Sequence, residues 1–418
     1  MRVAHINVTS GLSTGRIATD ICEVLTELGH KALLCYSRGY PPQNVPSYRI
    51  GNPVDRYLHA GLARLTDRAG FYSRGATRKL VRQLALYKPD VVHLHNLHGY
   101  YVDIRTLFAW LSRAGIPVVW TLHDCWAYTG HCAYYTMARC SRWREGCGNC
   151  PQKSAYPTSL LMDQSRRNWL QKRRAAESLP NLTLVTPSLW LGAEVRRSHL
   201  GKRPICVIPN GLDLTQFRPC DEPALLADLV ARQGLADLGD RKMLLSVASV
   251  WEPRKGLRDL MELSRHLRED MRIVVLGLSP AECDTLPDTM VGLPRTQNLR
   301  ELRALYTAAD VCLSLSHEET QGMTLLEALA CGTQVLCYDA TALPETVTPE
   351  VGEVVPEGDL RAAALACARL CDHPRDPEAC RARAAQYEKR LEYAQYVGLY
   401  ESLTAQQPAT AYPDAPQR

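Results

Sequence analysis

Val311-Cys312-Leu313-Ser314-Leu315-Ser316-His317-Glu318-Glu319-Thr320-Gln321-Gly322-Met323-Thr324-Leu325-Leu326-Glu327-Ala328-Leu329-Ala330-Cys331-Gly332-Thr333-Gln334-Val335-Leu336-Cys337-Tyr338 contains the unit from which the chain is built. Val311 to Ser314 reads as a strand. A short polar loop carries Glu319, and Leu325 to Ala330 is an apolar helical pattern that includes Glu327. Gly332 stops that helix, and Gln334 to Tyr338 is a second strand. Gly322 lets backbone approach a ligand, and a helix beginning near Met323 aims free N–H groups at it. Two carboxylates that accept sugar hydroxyls thus lie beside a donor-rich pocket for phosphate. That combination suits a nucleotide-sugar better than a metal or a peptide.

The same alternation extends in both directions. Strands are expected at Arg2 to Val8, Lys31 to Tyr36, Val91 to His95, Val118 to His123 and Leu182 to Thr186. Helices are expected at Ile17 to Leu28, Arg78 to Tyr87 and Ile104 to Ala114. Val207 to Asp213 reads as a strand entering a tight turn, and Phe217-Arg218-Pro219 as a linker. The pattern restarts with strands at Met243 to Val250 and Arg272 to Gly277 and helices at Leu257 to Leu267 and Asn298 to Ala308. This is an α/β chain of two doubly wound, Rossmann-like halves with parallel sheets. The expected divisions are 1–205 (with a Cys-rich loop at 125–151), 206–394, and a helix 395–405 packing back on the first domain. A Pro/Gln/Ala-rich tail, 406–418, is expected to be disordered.

Length and composition agree with two globular domains: 418 residues, 46% apolar and 22% charged. The apolar runs are far too short to span a membrane. Met1 to Val8 reads as a strand and not as a signal peptide, so the sequons at Asn7 and Asn181 are expected to be idle, the 16 cysteines reduced and the protein cytoplasmic. Charge is unevenly spread. Residues 1–205 hold 28 Lys+Arg against 12 Asp+Glu, a balance of +16, and the remainder holds 21 against 32, a balance of −11. A basic first half is expected to meet something anionic, such as an inner membrane leaflet, a lipid-linked phosphate or nucleic acid.

Through these motifs the chain resembles the GT-B glycosyltransferases, specifically the retaining family 4. The resemblance runs in order from the glycine turn Ser10–Arg16 to Gly358-Asp359. It also extends to a bacterial subgroup linked to exopolysaccharide and capsule synthesis through Trp120-Thr121-Leu122-His123-Asp124-Cys125-Trp126. It implies that Glu319 contacts hydroxyls of the transferred sugar and that Glu327 holds the ribose. Gln321, Gly322, Met323 and Thr324 would lie beside sugar and diphosphate, although many members carry Phe where this chain has Gln321. Ser246 to Gly256 matches a second motif, whose lysine, here Lys255, neutralises the leaving diphosphate. The family's arginine six residues earlier is replaced by Ser249, and Arg254 is the candidate substitute. His123 would meet the sugar, Gly15 would border donor and acceptor, and Arg295 lies where the nucleobase pocket forms.

The cysteines cluster once, as Cys132, Cys140, Cys147 and Cys150. The C-x2-C knuckle with an internal glycine is a zinc half-site, and two further thiolates close a tetrahedral shell. The loop reads as too polar to hold itself together, which gives a metal staple a purpose. The alternative is free thiols or one disulfide. His93, His95 and His98 are read as a polar strand end facing a cleft and not as a metal site.

The resemblance implies a transferase that moves a sugar from a UDP- or GDP-sugar to a glycan or polyprenyl-diphosphate-linked acceptor, in peripheral contact with an anionic membrane. No catalytic metal is expected, because no Asp-x-Asp motif stands out, and no nucleic acid is expected. Two alternatives remain: a GT-B-fold nucleotide-sugar epimerase, and a nucleic-acid-binding protein reading through its basic cysteine-rich loop.

Overall fold

The computed structural model describes residues 1–11, 13–222, 225, 229 and 235–405, so the expected disordered tail lies outside the described residues. The chain forms two compact units. One is Met1–Pro209 together with the chain from Glu392 onward, and the other is Asn210–Leu391.

The first unit holds seven strands: β1 Arg2–Ile6, β2 Lys31–Tyr36, β3 Ser47–Arg49, β4 Val91–Leu94, β5 Val118–Thr121, β6 Leu182–Thr186 and β7 Ile205–Val207. All pairs are parallel, in the order β3-β2-β1-β4-β5-β6-β7. The second unit holds β8 Lys242–Val247, β9 Met271–Leu276, β10 Met290–Leu293, β11 Val311–Ser314, β12 Val335–Tyr338 and β13 Gly352–Val355. These are also parallel, in the order β10-β9-β8-β11-β12-β13. Helices cover both faces of each sheet, so successive strand residues feed opposite cores. In β1, Val3 joins one buried cluster while Ala4 and Ile6 join the other.

Each sheet reverses its winding once, between β1 and β4 and between β8 and β11. Ligands of open α/β sheets bind at the carboxyl ends of the strands flanking such a point. The segments that matter are therefore those after β1 and β4 in one unit, and after β8 and β11 in the other.

Two local readings are corrected. Phe217 is 2% exposed and belongs to a core cluster of the second unit, and Arg303 ties down the carbonyls of Arg218 (3.1 Å) and Pro219 (3.0 Å). The segment is docked and is not a linker. His93 and His95 do not form an open strand end. They are 0% and 1% exposed, because the helix Lys389–Ala405, from Glu392 on, covers that face of the first sheet. Tyr400 bonds His93 Nδ1 at 2.6 Å, and Tyr396 bonds Thr121 at 3.0 Å.

Among the described residues, no helix is long and apolar enough to cross a membrane.

Candidate functional site

In the second unit, β8 runs into a loop and a single 3-10 turn, Pro253–Lys255, followed by Gly256 and the helix Leu257–Leu263. Pro253 opens the turn, and Gly256 closes it at φ 76°. Across the switch point, β11 runs into Ser316 to Gly322 and then the helix Met323–Ala330. Gly322 also has positive φ, 81°, and no side chain caps that helix. Its first N–H groups and the positive end of its dipole therefore open beside the loop.

These two loops bring Lys255 Nζ onto Glu319 Oε1 as an ion pair, with both side chains largely covered, at 20% and 14% exposure. Burial pushes the Glu319 carboxyl up, but Lys255 and Arg254 outweigh it and hold it below the usual carboxylate range. Arg254 is braced: its Nε donates to Glu252 (2.8 Å), and one terminal nitrogen donates to the Glu318 carbonyl (3.0 Å). Arg295, an exposed residue, donates to the backbone carbonyl of Ser249, the position at which the resemblance leaves an arginine missing. Glu327 lies on the helix face toward Tyr306, whose hydroxyl donates to it at 2.8 Å.

Gln321 is 5% exposed and turns its amide to the backbone of Asn210, accepting from the N–H at 2.7 Å and donating to the carbonyl at 3.0 Å. Its polar replacement of an aromatic thus has a local cause, since an amide can satisfy both backbone groups of a buried turn.

His317 has a role that the sequence did not suggest. Its Nδ1 meets Glu357 at 2.6 Å, and its Nε2 meets Asp259 at 3.3 Å. The bond to Asp259 leads the causes that raise its pKa to about 9. A protonated His317 therefore ties the Glu319 loop to the helix following Lys255. An unfolded histidine titrates near 6.5, so this contribution to stability is complete below that pH and is lost as pH climbs through about 9. Over that window the melting temperature of the wild type should fall more steeply than that of His317→Gln. Parallel curves would show that the clamp contributes nothing.

In the first unit, Asn7 follows β1 and accepts from the N–H of Asn96, which follows β4, at 3.2 Å. Gly15 lies just inside the helix Thr14–Glu27, and a Cβ there would stand 2.5 Å from Thr9 Oγ1. It serves close packing of the helix on the loop after β1. His123, beyond β5, is 7% exposed and stacks on His95, with Nε2 3.0 Å from His95 Nδ1. His95 Nε2 in turn lies 3.2 Å from His5 Nδ1. Burial pushes His123 down to about 4 and His5 to about 3, so the chain of rings is neutral at pH 7. His5 Nε2 has no partner. Buried N–H groups without a partner are rarer than unfilled acceptors, so the protons are directed toward His123, whose Nε2 accepts and whose Nδ1 carries the hydrogen. Beside it, Asp124 bonds His98 at 2.7 Å and the N–H of Trp126 at 2.9 Å.

Cys132, Cys140, Cys147 and Cys150 line one small cavity. Cys132 and Cys150 face each other closely enough to share a hydrogen bond, and Cys147 Sγ accepts from Gly130 N–H at 3.1 Å. Positive φ at Gly146, Gly148 and Asn149 turns the chain around the C-x2-C segment. Four soft thiols converging on one cavity fit zinc in kind. Among the described residues, however, the group whose ligand atoms all lie within 4.8 Å is His5, His93 and His95. The expectation that the loop is too polar to hold itself together is also corrected. Trp126, Tyr128, Tyr135 and Trp143 are buried in the unit's largest cluster. Lys172 packs 3.8 Å over the Trp126 ring, and burial lowers its pKa to about 7.

Two parallel α/β units, each reversing its winding once, are the fold of the GT-B glycosyltransferases. The chain belongs to these enzymes: residues 14–216 match the model "Glycosyltransferase Family 4" and residues 241–373 match "Glycosyl transferases group 1". It is 24% identical over 371 residues to the putative colanic acid biosynthesis glycosyl transferase WcaC of Escherichia coli K12, covering 85% of this chain and 87% of that one. It is 27% identical over 347 residues to the D-inositol 3-phosphate glycosyltransferase of Kineococcus radiotolerans, covering 76% of this chain and 75% of that one. Among solved structures it resembles sucrose-phosphate synthase from Thermosynechococcus elongatus, with TM-score 0.70, 19% identity, and coverage of 97% of this chain and 100% of that one. It also resembles Anabaena Alr3699/HepE in complex with UDP-glucose, with TM-score 0.66, 14% identity, and coverage of 96% and 99%.

Proposed function

We propose that this glycosyltransferase acts with retention, moving a sugar from a nucleotide-diphosphate donor onto a glycan or polyprenyl-diphosphate-linked acceptor in bacterial surface-polysaccharide synthesis. The carrying observation is the Lys255–Glu319 pair at the second sheet's switch point, beside the uncapped helix start at Gly322. The likeness to WcaC supports the polysaccharide role. In this reading the donor, a UDP- or GDP-sugar, lies on the second unit. Glu327 accepts from the ribose hydroxyls and Glu319 from those of the sugar. Lys255 and the N–H groups of Met323 and Thr324 carry the charge that develops on the leaving diphosphate. Arg254 and Arg295 add positive potential. His123, through its Nδ1–H, is a donor for sugar hydroxyls, and the acceptor attacks on the face from which the diphosphate departs.

A thermal-shift screen of nucleotide-sugars tests the donor assignment. One donor at a hundred times its Kd should stabilise the folded protein by about 2.7 kcal/mol. Glu327→Ala should abolish that stabilisation. Because it also takes the acceptor from the buried Tyr306 hydroxyl, the variant should melt somewhat lower without ligand, and the donor shift is read against its own baseline. A donor shift that survives in Glu327→Ala sinks the assignment. An epimerised nucleotide-sugar formed without acceptor would make the chain an epimerase instead.

Turnover is proposed to need no divalent cation, since Lys255 and the helix start meet the diphosphate. Cys132, Cys140, Cys147 and Cys150 are proposed to hold a structural zinc, at about one equivalent per chain. Metal analysis combined with chelation checks both points: EDTA should leave transfer intact wherever the fold stays intact. Transfer lost with an unchanged melting curve would overturn the first, and purified protein with four titratable thiols and no zinc the second. The enzyme is placed at the cytoplasmic face of the inner membrane, with the basic first unit toward anionic lipid and no nucleic-acid partner.

A further inference from the structure

The first unit contains a second cavity, of about 410 Å3, walled by Arg68, Arg74, Arg105 and Arg167 over Phe71 and Tyr72. Two guanidiniums share the Phe71 ring, Arg68 at 4.5 Å and Arg105 at 5.7 Å from its centre. Arg68 is held by neutral partners, Asn168 at 3.3 Å and Gln171 at 2.7 Å. Arg105 donates to Asp103 at 2.6 Å, and its Nε is a buried donor without a partner. Asp103 also faces Arg74 at 3.8 Å and is the carboxylate paired with this cluster among the described residues. Burial and the neighbouring Arg167 and Arg105 push Arg68 down to about 10. Four guanidiniums against one carboxylate leave the cavity with excess positive charge, which attracts an anion.

The helices Arg74–Tyr87 and Ile104–Ala114 both begin at this cavity and lead into β4 and β5. Their N-termini therefore lie at the carboxyl edge of the first sheet, the edge that carries His123. Next to the cavity, the helix Pro53–Thr66 inverts the usual amphipathic pattern. Its buried residues are His59 and Ala63, while Val54, Tyr57, Leu58, Leu62 and Leu65 share one face and are 44% to 77% exposed. Leu160, Leu161 and Met162, 51% to 70% exposed, extend this face, since Leu160 N–H bonds Arg64 O (2.6 Å) and Met162 N–H bonds Leu65 O (3.2 Å). Thr66 bonds the Tyr72 hydroxyl at 2.8 Å, so the apolar face and the cavity adjoin.

We propose that the Arg68–Arg74–Arg105–Arg167 cavity binds the diphosphate of a prenyl-linked ligand, whose hydrocarbon lies on the exposed face of Pro53–Thr66 and Leu160 to Met162. Guanidinium forks match phosphate oxygens in pairs, and a cluster with this excess of positive charge suits a diphosphate better than a singly charged phosphodiester. An exposed apolar face adjoining a cationic cavity offers a hydrocarbon chain a surface beside its charged head. That this ligand is the sugar acceptor rests on the transferase reading above; the anion site itself does not.

Binding of pyrophosphate, farnesyl diphosphate and phosphatidylcholine vesicles with or without phosphatidylglycerol is measured on the full chain, without nucleotide-sugar. Farnesyl diphosphate should bind at least about tenfold more tightly than pyrophosphate. Arg74→Gln and Arg167→Gln, both at exposed residues, should each weaken it about tenfold, the effect of one charge-assisted hydrogen bond. Leu58→Ser with Leu161→Ser should weaken farnesyl diphosphate and spare pyrophosphate. Equal affinity for the two diphosphates removes the lipid from the proposal, and unchanged binding in the arginine variants removes the cavity. Vesicle binding that depends on phosphatidylglycerol and on Arg74 and Arg167 reassigns the cavity to a phospholipid headgroup and overturns the prenyl ligand. Melting curves of each variant report folding. If the nucleotide-sugar screen fails while these affinities hold, the transferase reading falls and the anion site stands.

Discussion

Lys255→Ala should lower kcat of sugar transfer by about 100- to 1000-fold, with a smaller change in KM. The lysine sits on a one-turn 3-10 segment at a switch point, and its ammonium is paired with Glu319. In the proposed reaction its charge matters most where the diphosphate gains charge, in the transition state, so kcat carries the loss. The variant has a second signature. Lys255 and Arg254 hold Glu319 below the usual carboxylate range against the effect of burial. With Lys255 gone, that depression weakens, and the acid limb of the pH–rate profile should move to higher pH. A variant that raises KM alone would make Lys255 a ground-state contact. An unmoved acid limb would uncouple it from Glu319.

Gly256→Ala, one residue further on, should cost more than about 4 kcal/mol and leave little soluble protein. The residue has φ 76°, which costs an L side chain roughly 1–2 kcal/mol. The greater obstacle is steric. A Cβ there would stand 2.0 Å from the carbonyl oxygen of Leu315 and 2.8 Å from its carbonyl carbon. Both are backbone atoms at the end of β11 and have no rotamer to escape into. The loops after β8 and β11 would have to part, and that contact is what brings Lys255 to Glu319. Soluble yield and a melting curve test it, and a variant that purifies with the wild-type transition disproves the clash.

The parallel α/β class was legible in the order of strands, helices and glycines, because those signals are local, and the GT-B family through the resemblance of its motifs. So were Glu319 and Glu327 as candidates, through their places on one loop and helix, and Lys255 through the resemblance of its motif to the family's. What they touch was not legible. Lys255 and Glu319 are 64 residues apart, and Gln321 meets Asn210 across 111. His93 and His95 read as an open strand end because nothing nearby in sequence covers them. Tyr400, 307 residues after His93, is what buries them. The stripe Val54, Tyr57, Leu58, Leu62 and Leu65 has helical spacing in the sequence, but that it faces outward and not into the core is decided by the tertiary structure alone. The arginine cavity draws on three separate segments, none of them unusual alone.

By itself, then, the sequence determined the rhythm of strand, turn and helix and the chemical types available at the turns, since backbone propensity and side-chain identity act over a few residues. Only the tertiary structure decided which turns share a switch point, which histidines are dry and neutral, and where several guanidiniums crowd around a single carboxylate. Those outcomes depend on burial and on distances between charges that are remote in sequence.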